Sequence, residues 1–168
     1  MIERPAAAPA SVEQLVQPNT SDISALIGLM RQEDPVHQMR PSSEFEAEIE
    51  EYTHREKTAL FVARAAINSY NDENGEVTGY VRTREKPTDN PNTLHIEGIF
   101  MRQDGSSHSS GRELVRFVLK HAEARGLTAV QVDTYPKSVP MHQLLKSMDF
   151  KKVTIGEREL YTQQLKKT

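Results

Sequence analysis

The sequence contains no cysteine. That removes disulfide bonds, thiolate zinc sites and a cysteine nucleophile, and it agrees with a cytoplasmic location. There is no surplus of positive charge either. Lys and Arg number 21 against 24 Asp and Glu, giving a formal net charge of -3 and a pI near 6.1. Composition therefore gives no electrostatic footprint for nucleic acid or an anionic membrane surface. No apolar run approaches the roughly 20 residues that a bilayer-spanning helix needs. Residues 1–11 are rich in Ala and Pro but lack an unbroken apolar stretch, so they read as a flexible tail and not as a signal peptide. The six histidines (His37, His54, His95, His108, His121 and His142) show no metal-ligand spacing, and no metal is expected. His121 and His142 fall on predicted helices among charged or polar neighbours and are expected to face solvent. The serines around His108 lack the Gly-x-Ser-x-Gly elbow between strand and helix that a serine hydrolase needs.

What is present is a chain of 168 residues with no internal repeat, long enough for residues 12–168 to form one domain around a real core. Its centre of organisation runs from Leu94 to Gly126. Leu94 to Met101 suits a strand, with Leu94, Ile96 and Phe100 on one face and His95, Glu97, Ile99 and Met101 on the other. From Arg112 the pattern turns helical, because Leu114, Val115, Val118 and Ala122 recur at the spacing of one apolar face. Ser110 and Glu113 read as a capping box at its start and Gly126 as its stop. Between strand and helix lies a loop of small residues, Ser106-Ser107-His108-Ser109-Ser110-Gly111. It feeds backbone N–H groups into a helix N-terminus, which suits an anion such as phosphate. The same loop also reads as a plain serine-rich connector.

The remaining elements follow in order. Val12 to Gln17 reads as a short strand. Asn19 to Asp22 caps a helix whose Ile23, Leu26, Ile27 and Met30 share a face. A second helix begins at Ser42 or Ser43, with Phe45, Ile49 and Tyr52 inward. Its other face, with Glu44, Glu46, Glu48, Glu50 and Glu51, reads as a solvated surface. Thr58 to Ile67 and Val77 to Thr83 are paired strands around the turn signal Asn71 to Gly75. Ala129 to Tyr135 is a strand in which Val130, Val132 and Thr134 alternate with Gln131, Asp133 and Tyr135. Strand, helix and strand in this order predict a parallel crossover. A helix over Val139 to Met148 and an antiparallel pair around Gly156 complete the chain.

The strand, loop and helix centred on Gly111 resemble the acyl-coenzyme A binding motif of the GNAT superfamily of N-acetyltransferases, whose loop reads Arg/Gln-x-x-Gly-x-Gly/Ala. Gly111 keeps the last glycine. Ser106 stands at the basic position, and Ser107 and Ser109 stand where glycines are usual. Asp133 to Pro136 and Met141 to Phe150 are similar to the family's later motif, with Met141 and Phe150 in place. There Ser138 replaces an Asn, Leu145 a Tyr and Asp149 a Gly. The resemblance spans Val12 to Leu165. It implies an α/β (α+β layered) fold, with a mixed, mostly antiparallel central sheet of about six to seven strands and helices on both faces.

The resemblance also implies a chemistry: transfer of acetyl from acetyl-CoA, as co-substrate, to a primary amine of a small molecule or peptide, by direct attack in a ternary complex. The backbone of Phe100 and Met101 would hold the pantetheine arm. Ser106, Ser107, His108, Ser109, Ser110, Gly111 and Arg112 would hold the pyrophosphate, with Arg102, His108 and Arg112 the nearest cations. Glu97 is the first candidate for the base and His95 the second, since they share the face that looks toward the acceptor. Glu97 pairing with a cation and His95 as a satisfied polar residue are their structural readings. Leu145 cannot donate a proton, which leaves Tyr135, Ser138 or water as the acid. The acidic helix face would attract a cationic amine, and a homodimer through sheet edges or terminal strands fits the resemblance. The lost Arg, Gly and Tyr positions define an alternative, a catalytically weakened relative that binds CoA or a protein partner without efficient turnover. A plain interaction module is a third reading, marked by an exposed apolar patch.

Overall fold

The computed structural model describes residues 11–33, 35–64, 75–86, 91–102, 108–133 and 139–165. The chain runs β1 (Ser11–Gln14), α1 (Thr20–Glu33), a 3-10 turn (Pro35–Met39), α2 (Ser42–His54), β2 (Thr58–Arg64), β3 (Val77–Glu85) and β4 (Thr93–Met101). It continues with α3 (His108–Ala124), β5 (Ala129–Val132), α4 (Val139–Ser147), β6 (Lys151–Ile155) and β7 (Arg158–Gln164). The strands form one sheet in the order β1-β2-β3-β4-β5-β7-β6. Every neighbouring pair is antiparallel except β4 and β5, which are parallel through the α3 crossover. Among the described residues no helix is long and apolar enough to cross a membrane.

Alternation along β2 builds two cores from one strand. Ala59, Phe61 and Ala63 pack with Leu114, Val115, Val118 and Ala122 of α3 and with Met141 and Leu145 of α4. Leu60 and Val62 pack on the opposite face with Leu26, Ile27 and Met30 of α1 and with Phe45, Ile49 and Tyr52 of α2. The sheet therefore carries a helical layer on each side, and the inward residues are those the helical spacing predicts.

The helix ends have legible causes. At the start of α1, Asp22 N–H donates to Asn19 Oδ1 at 2.8 Å and Asn19 N–H donates to Asp22 Oδ2 at 3.3 Å, a reciprocal cap. At the end of α3, Gly126 N–H bonds Glu123 O and Leu127 N–H bonds Ala122 O, with Gly126 at φ +74°. α4 closes in the same way through Asp149, whose φ is +70°. An aspartate thus takes the left-handed place where the resembled motif has glycine. The start of α3 differs from expectation. The helix begins at His108, so Ser110 lies inside the first turn, and Glu113 pairs with Arg116 at 2.6 Å instead of closing a capping box.

Candidate active site

The site is created by one extra residue in β4. Arg82 pairs with Gly98 while Thr83 pairs with Ile96, so Glu97 is a β-bulge. The bulge shifts the alternation by one. Leu94 and Ile96 before it, and Ile99 and Met101 after it, all lie on the α3 face, whereas Phe100 packs with Tyr80 on the other. The expectation that grouped Phe100 with Leu94 and Ile96 is corrected by that inserted residue.

Beyond the bulge β4 has no parallel neighbour among the described residues. The β4–β5 register ends at Ile96 opposite Val132, and the last rung is Asp133 N–H to Ile96 O at 2.9 Å. β4 continues to Met101, paired only with β3 among the described residues. Arg102 N–H donates to Thr78 O, so antiparallel alternation gives Phe100 and Gly98 to β3 and turns the backbone groups of Ile99 and Met101 toward the fork. The N-terminus of α3 stands just beyond. The first-turn amides of a helix have no acceptor within it, and the dipole favours an anion there. A methyl group on Gly111 would lie 3.1 Å from Leu144 Cδ2 and 3.7 Å from Met101 Cγ, so this glycine lets the start of α3 close onto α4 and the end of β4.

On the α2 face of the fork lies a continuous polar network. Glu97 Oε1 accepts from Tyr52 Oη and from Arg84 Nε, both at 2.7 Å, and Lys86 Nζ is 3.5 Å from Glu97 Oε2. Lys86 donates to Asp133 Oδ2 at 3.0 Å, Gln131 Nε2 donates to Asp133 Oδ1 at 2.8 Å, and His95 Nδ1 is 3.0 Å from both Asp133 oxygens. Burial pushes the Glu97 carboxyl up, but bonds from Arg84 and Tyr52 and the charge of Lys86 bring it below its ordinary value. Burial likewise acts against Asp133, and the bonds from His95, Lys86 and Gln131 outweigh it, holding the group at about 2. Burial, then the bond to Glu97, pushes the Tyr52 phenol up to about 12. This surface holds two fixed anions and a proton donor that stays protonated.

The sequence pattern of the Acetyltransferase (GNAT) family matches residues 26–150. The chain belongs to this family. Among solved structures, an acetyltransferase from Streptococcus agalactiae 2603 is 19% identical with a TM-score of 0.68, over 93% of this chain and 98% of that one. Aminoglycoside N-acetyltransferase AAC(6')-Iy in complex with CoA is 18% identical with a TM-score of 0.69, over 92% and 95%. The ribosomal-protein-S18-alanine N-acetyltransferase from Escherichia coli is 15% identical with a TM-score of 0.62, over 95% and 96%. At such identities the likeness is one of fold. A comparison with curated protein sequences gives no match.

The residues expected of a GNAT acetyltransferase are distributed as follows. Glu97 and His95 do share one face of β4, and Asp133 and Lys86 link them. Met101 has its backbone on the fork, but Phe100 gives its own to β3, and Ile99 takes its place. Gly111 and the backbone of His108, Ser109 and Ser110 form the first turn of α3. Ser106, Ser107, Tyr135 and Ser138 lie outside the described residues, as do the side chains of His108, Ser109 and Ser110. The other cations near the loop are engaged: Arg112 reaches Ser147 Oγ at 3.3 Å and Arg102 is 3.1 Å from Glu76. Leu145 is fully buried.

Two expectations are modified by the structure. The acidic face of α2 is divided: Glu44, Glu46 and Glu50 are exposed, as a solvated surface predicts, whereas Glu48 pairs with Arg82 and Arg40 and Glu51 pairs with Arg84 and Arg55. His121 and His142 are half-buried rather than solvent-facing: His121 meets the Phe61 ring at 5.0 Å, and His142 Nδ1 is 2.7 Å from the Tyr161 hydroxyl. Sequence reasoning did not single out Tyr52, Arg84, Lys86 or Asp133 for the site. The available signal was the alternation of Arg82, Arg84 and Lys86 at the end of β3, three cations on one face that call for anionic partners across it.

Proposed function

We propose that the protein transfers acetyl from acetyl-CoA to a primary amine of a small molecule or peptide, by direct attack in a ternary complex. The observation that carries this reading is the fork: among the described residues the β4–β5 pairing ends at Ile96, and β4 runs on with the backbone of Ile99 and Met101 turned away from β3, toward the start of α3. Those main-chain groups suit the amides of a pantetheine arm, and the first-turn amides of α3 suit a diphosphate without a basic side chain. The CoA complex of the AAC(6')-Iy neighbour and the amine-directed names of that neighbour and the S18-alanine enzyme support the same reading. The polar network beside the fork supplies the acceptor side, with Glu97 and His95 as the groups nearest the bulge.

The fully buried Leu145 favours a second reading, a weakened relative that binds CoA without efficient turnover, since no donor stands at that helix position. Isothermal titration with acetyl-CoA, followed by free-thiol release across a panel of primary amines, separates the two. Binding with turnover supports the transferase. Binding without turnover on any amine supports the second reading. Absence of heat and of a thermal shift at millimolar acetyl-CoA removes both.

A further inference from the structure

We infer that Arg82 selects the acceptor: its guanidinium Nη2 binds a carboxylate carried beside the reacting amine, so the acceptor class is an amino acid and not a polycation. The inference rests on the transferase reading above and deepens it by naming the substrate class.

Arg82 stands opposite Gly98, the first residue after the bulge, on the α2 face of the sheet. On that face the adjoining positions of β4 carry side chains. Glu97 reaches Tyr52 on one side, and Phe100 packs with Tyr80 on the other. Gly98 leaves a gap between them, and the guanidinium lies in it. A methyl group on Gly98 would strike Nη2 and Nε and come within 2.8 Å of Cζ. Arg82 Cζ is 5.6 Å from the centre of the Tyr52 ring and 6.0 Å from that of Tyr80, and Nη1 donates to Glu48. Two rings, a carboxylate and a bare stretch of backbone thus hold a planar cation one residue before Ile99, whose backbone turns away from β3.

The donors of Arg82 are not used up. A guanidinium carries N–H groups on three nitrogens and accepts nothing. Among the described residues only Nη1 has an acceptor. Nε is buried without one. Nη2 has none either, but it is not fully buried, in a side chain 16% exposed, so an oxygen arriving from solvent can reach it.

Charge points the same way. Glu48 is shared between Arg82 and Arg40, whose other carboxylate partner, Glu44, is 55% exposed. Glu51 serves Arg84 and Arg55, Glu97 serves Arg84 and Lys86, and Asp133 serves Lys86. The acceptor's one ammonium can share such a carboxylate. A second or third cation on the same molecule finds none unspent and meets Arg82 instead. A carboxylate meets the opposite field and gains a charge-assisted bond from Nη2.

The test begins with the wild-type protein saturated with CoA, which carries no acyl group and so permits binding without turnover. Isothermal titration uses a set of L-amino acids, their amides, their decarboxylated amines and a polyamine. An amino acid is expected to bind roughly tenfold or more tightly than its own amide and its own decarboxylated amine, the loss that follows when a charge-assisted bond is removed. No binding by any amino acid, or an amide or the polyamine binding as tightly, overturns the inference without any variant. Arg82→Gln should erase the preference for the carboxylate while CoA affinity is retained. Gly98→Ala, which keeps the charge but displaces the guanidinium, should weaken amino-acid binding in the same direction. A folded Arg82→Gln protein that keeps the preference overturns the role of Arg82. Turnover of polyamines alone overturns the inference and leaves the transferase reading intact, whereas a wild-type protein that binds neither CoA nor acetyl-CoA overturns both.

Discussion

Two carboxylate–cation clusters join the sheet to its α1 and α2 layer, and they differ in completeness. At the outer corner, Arg64 donates from Nε to Glu13 at 2.6 Å, from Nη1 to Asp22 at 2.8 Å and to Gly75 O at 3.2 Å, and from Nη2 to Asp22 at 3.2 Å. The Arg64 and Asp22 side chains are 7% and 8% exposed, and Asp22 also caps α1. Every nitrogen of that guanidinium is satisfied. At the fork, Lys86, Asp133, Glu97 and His95 are more open to solvent and leave His95 Nε2 without a partner among the described residues. A closed cluster contributes to holding the corner together; the other leaves one buried nitrogen unsatisfied among the described residues.

The comparison can be broken most directly at the corner. Asp22→Ala leaves Arg64 with the half-exposed Glu13 on Nε but strips the buried carboxylate from both Nη atoms, and removing one partner of such a buried pair costs about 3–5 kcal/mol. Denaturant unfolding should show that loss, with acetyl-CoA affinity unchanged; a loss below about 1 kcal/mol would mean the corner is no tighter than a surface pair. Next in size is the acid response of the fork. Asp133 is lowered from 3.8 to about 2, so its contribution is full above about pH 4 and fades as pH falls toward 2. The wild type should lose about 2 kcal/mol more than Asp133→Asn over that window, read from stability at stepped pH. A smaller effect is expected at Lys86, which is 29% exposed. Lys86→Met should alter stability by no more than about 1 kcal/mol, whereas a loss like that of Asp22→Ala would erase the distinction. Smallest is a control far from both clusters. Asp149→Gly relieves the left-handed residue closing α4 and should raise stability by about 0.5 kcal/mol in the same unfolding assay.

Much of the architecture was legible in the sequence because periodicity reports directly on which face is buried. The α3 stripe of Leu114, Val115, Val118 and Ala122 is fully buried, and the crossover from β4 to β5 is parallel. Two kinds of fact were not legible. A bulge leaves composition unchanged and only shifts phase, so Ile99, Phe100 and Met101 were assigned to the wrong faces. Pairings across large sequence distances, such as Tyr52 with Glu97 or His95 with Asp133, depend on register that no local pattern encodes. The same blindness hid the pairing of Glu48 and Glu51 of α2 with the arginines of β3.

Glu97 has one more consequence. If it is skipped in reading β4, then Leu94, Ile96, Ile99 and Met101 fall into unbroken inside–outside order. The domain's packing is thus written as though that carboxylate had been slipped into a finished strand. A chain lacking this single position should still assemble its layers, yet β4 would run along β3 without the shift in register. Deletion, more cleanly than any replacement, would part the scaffold from its chemistry.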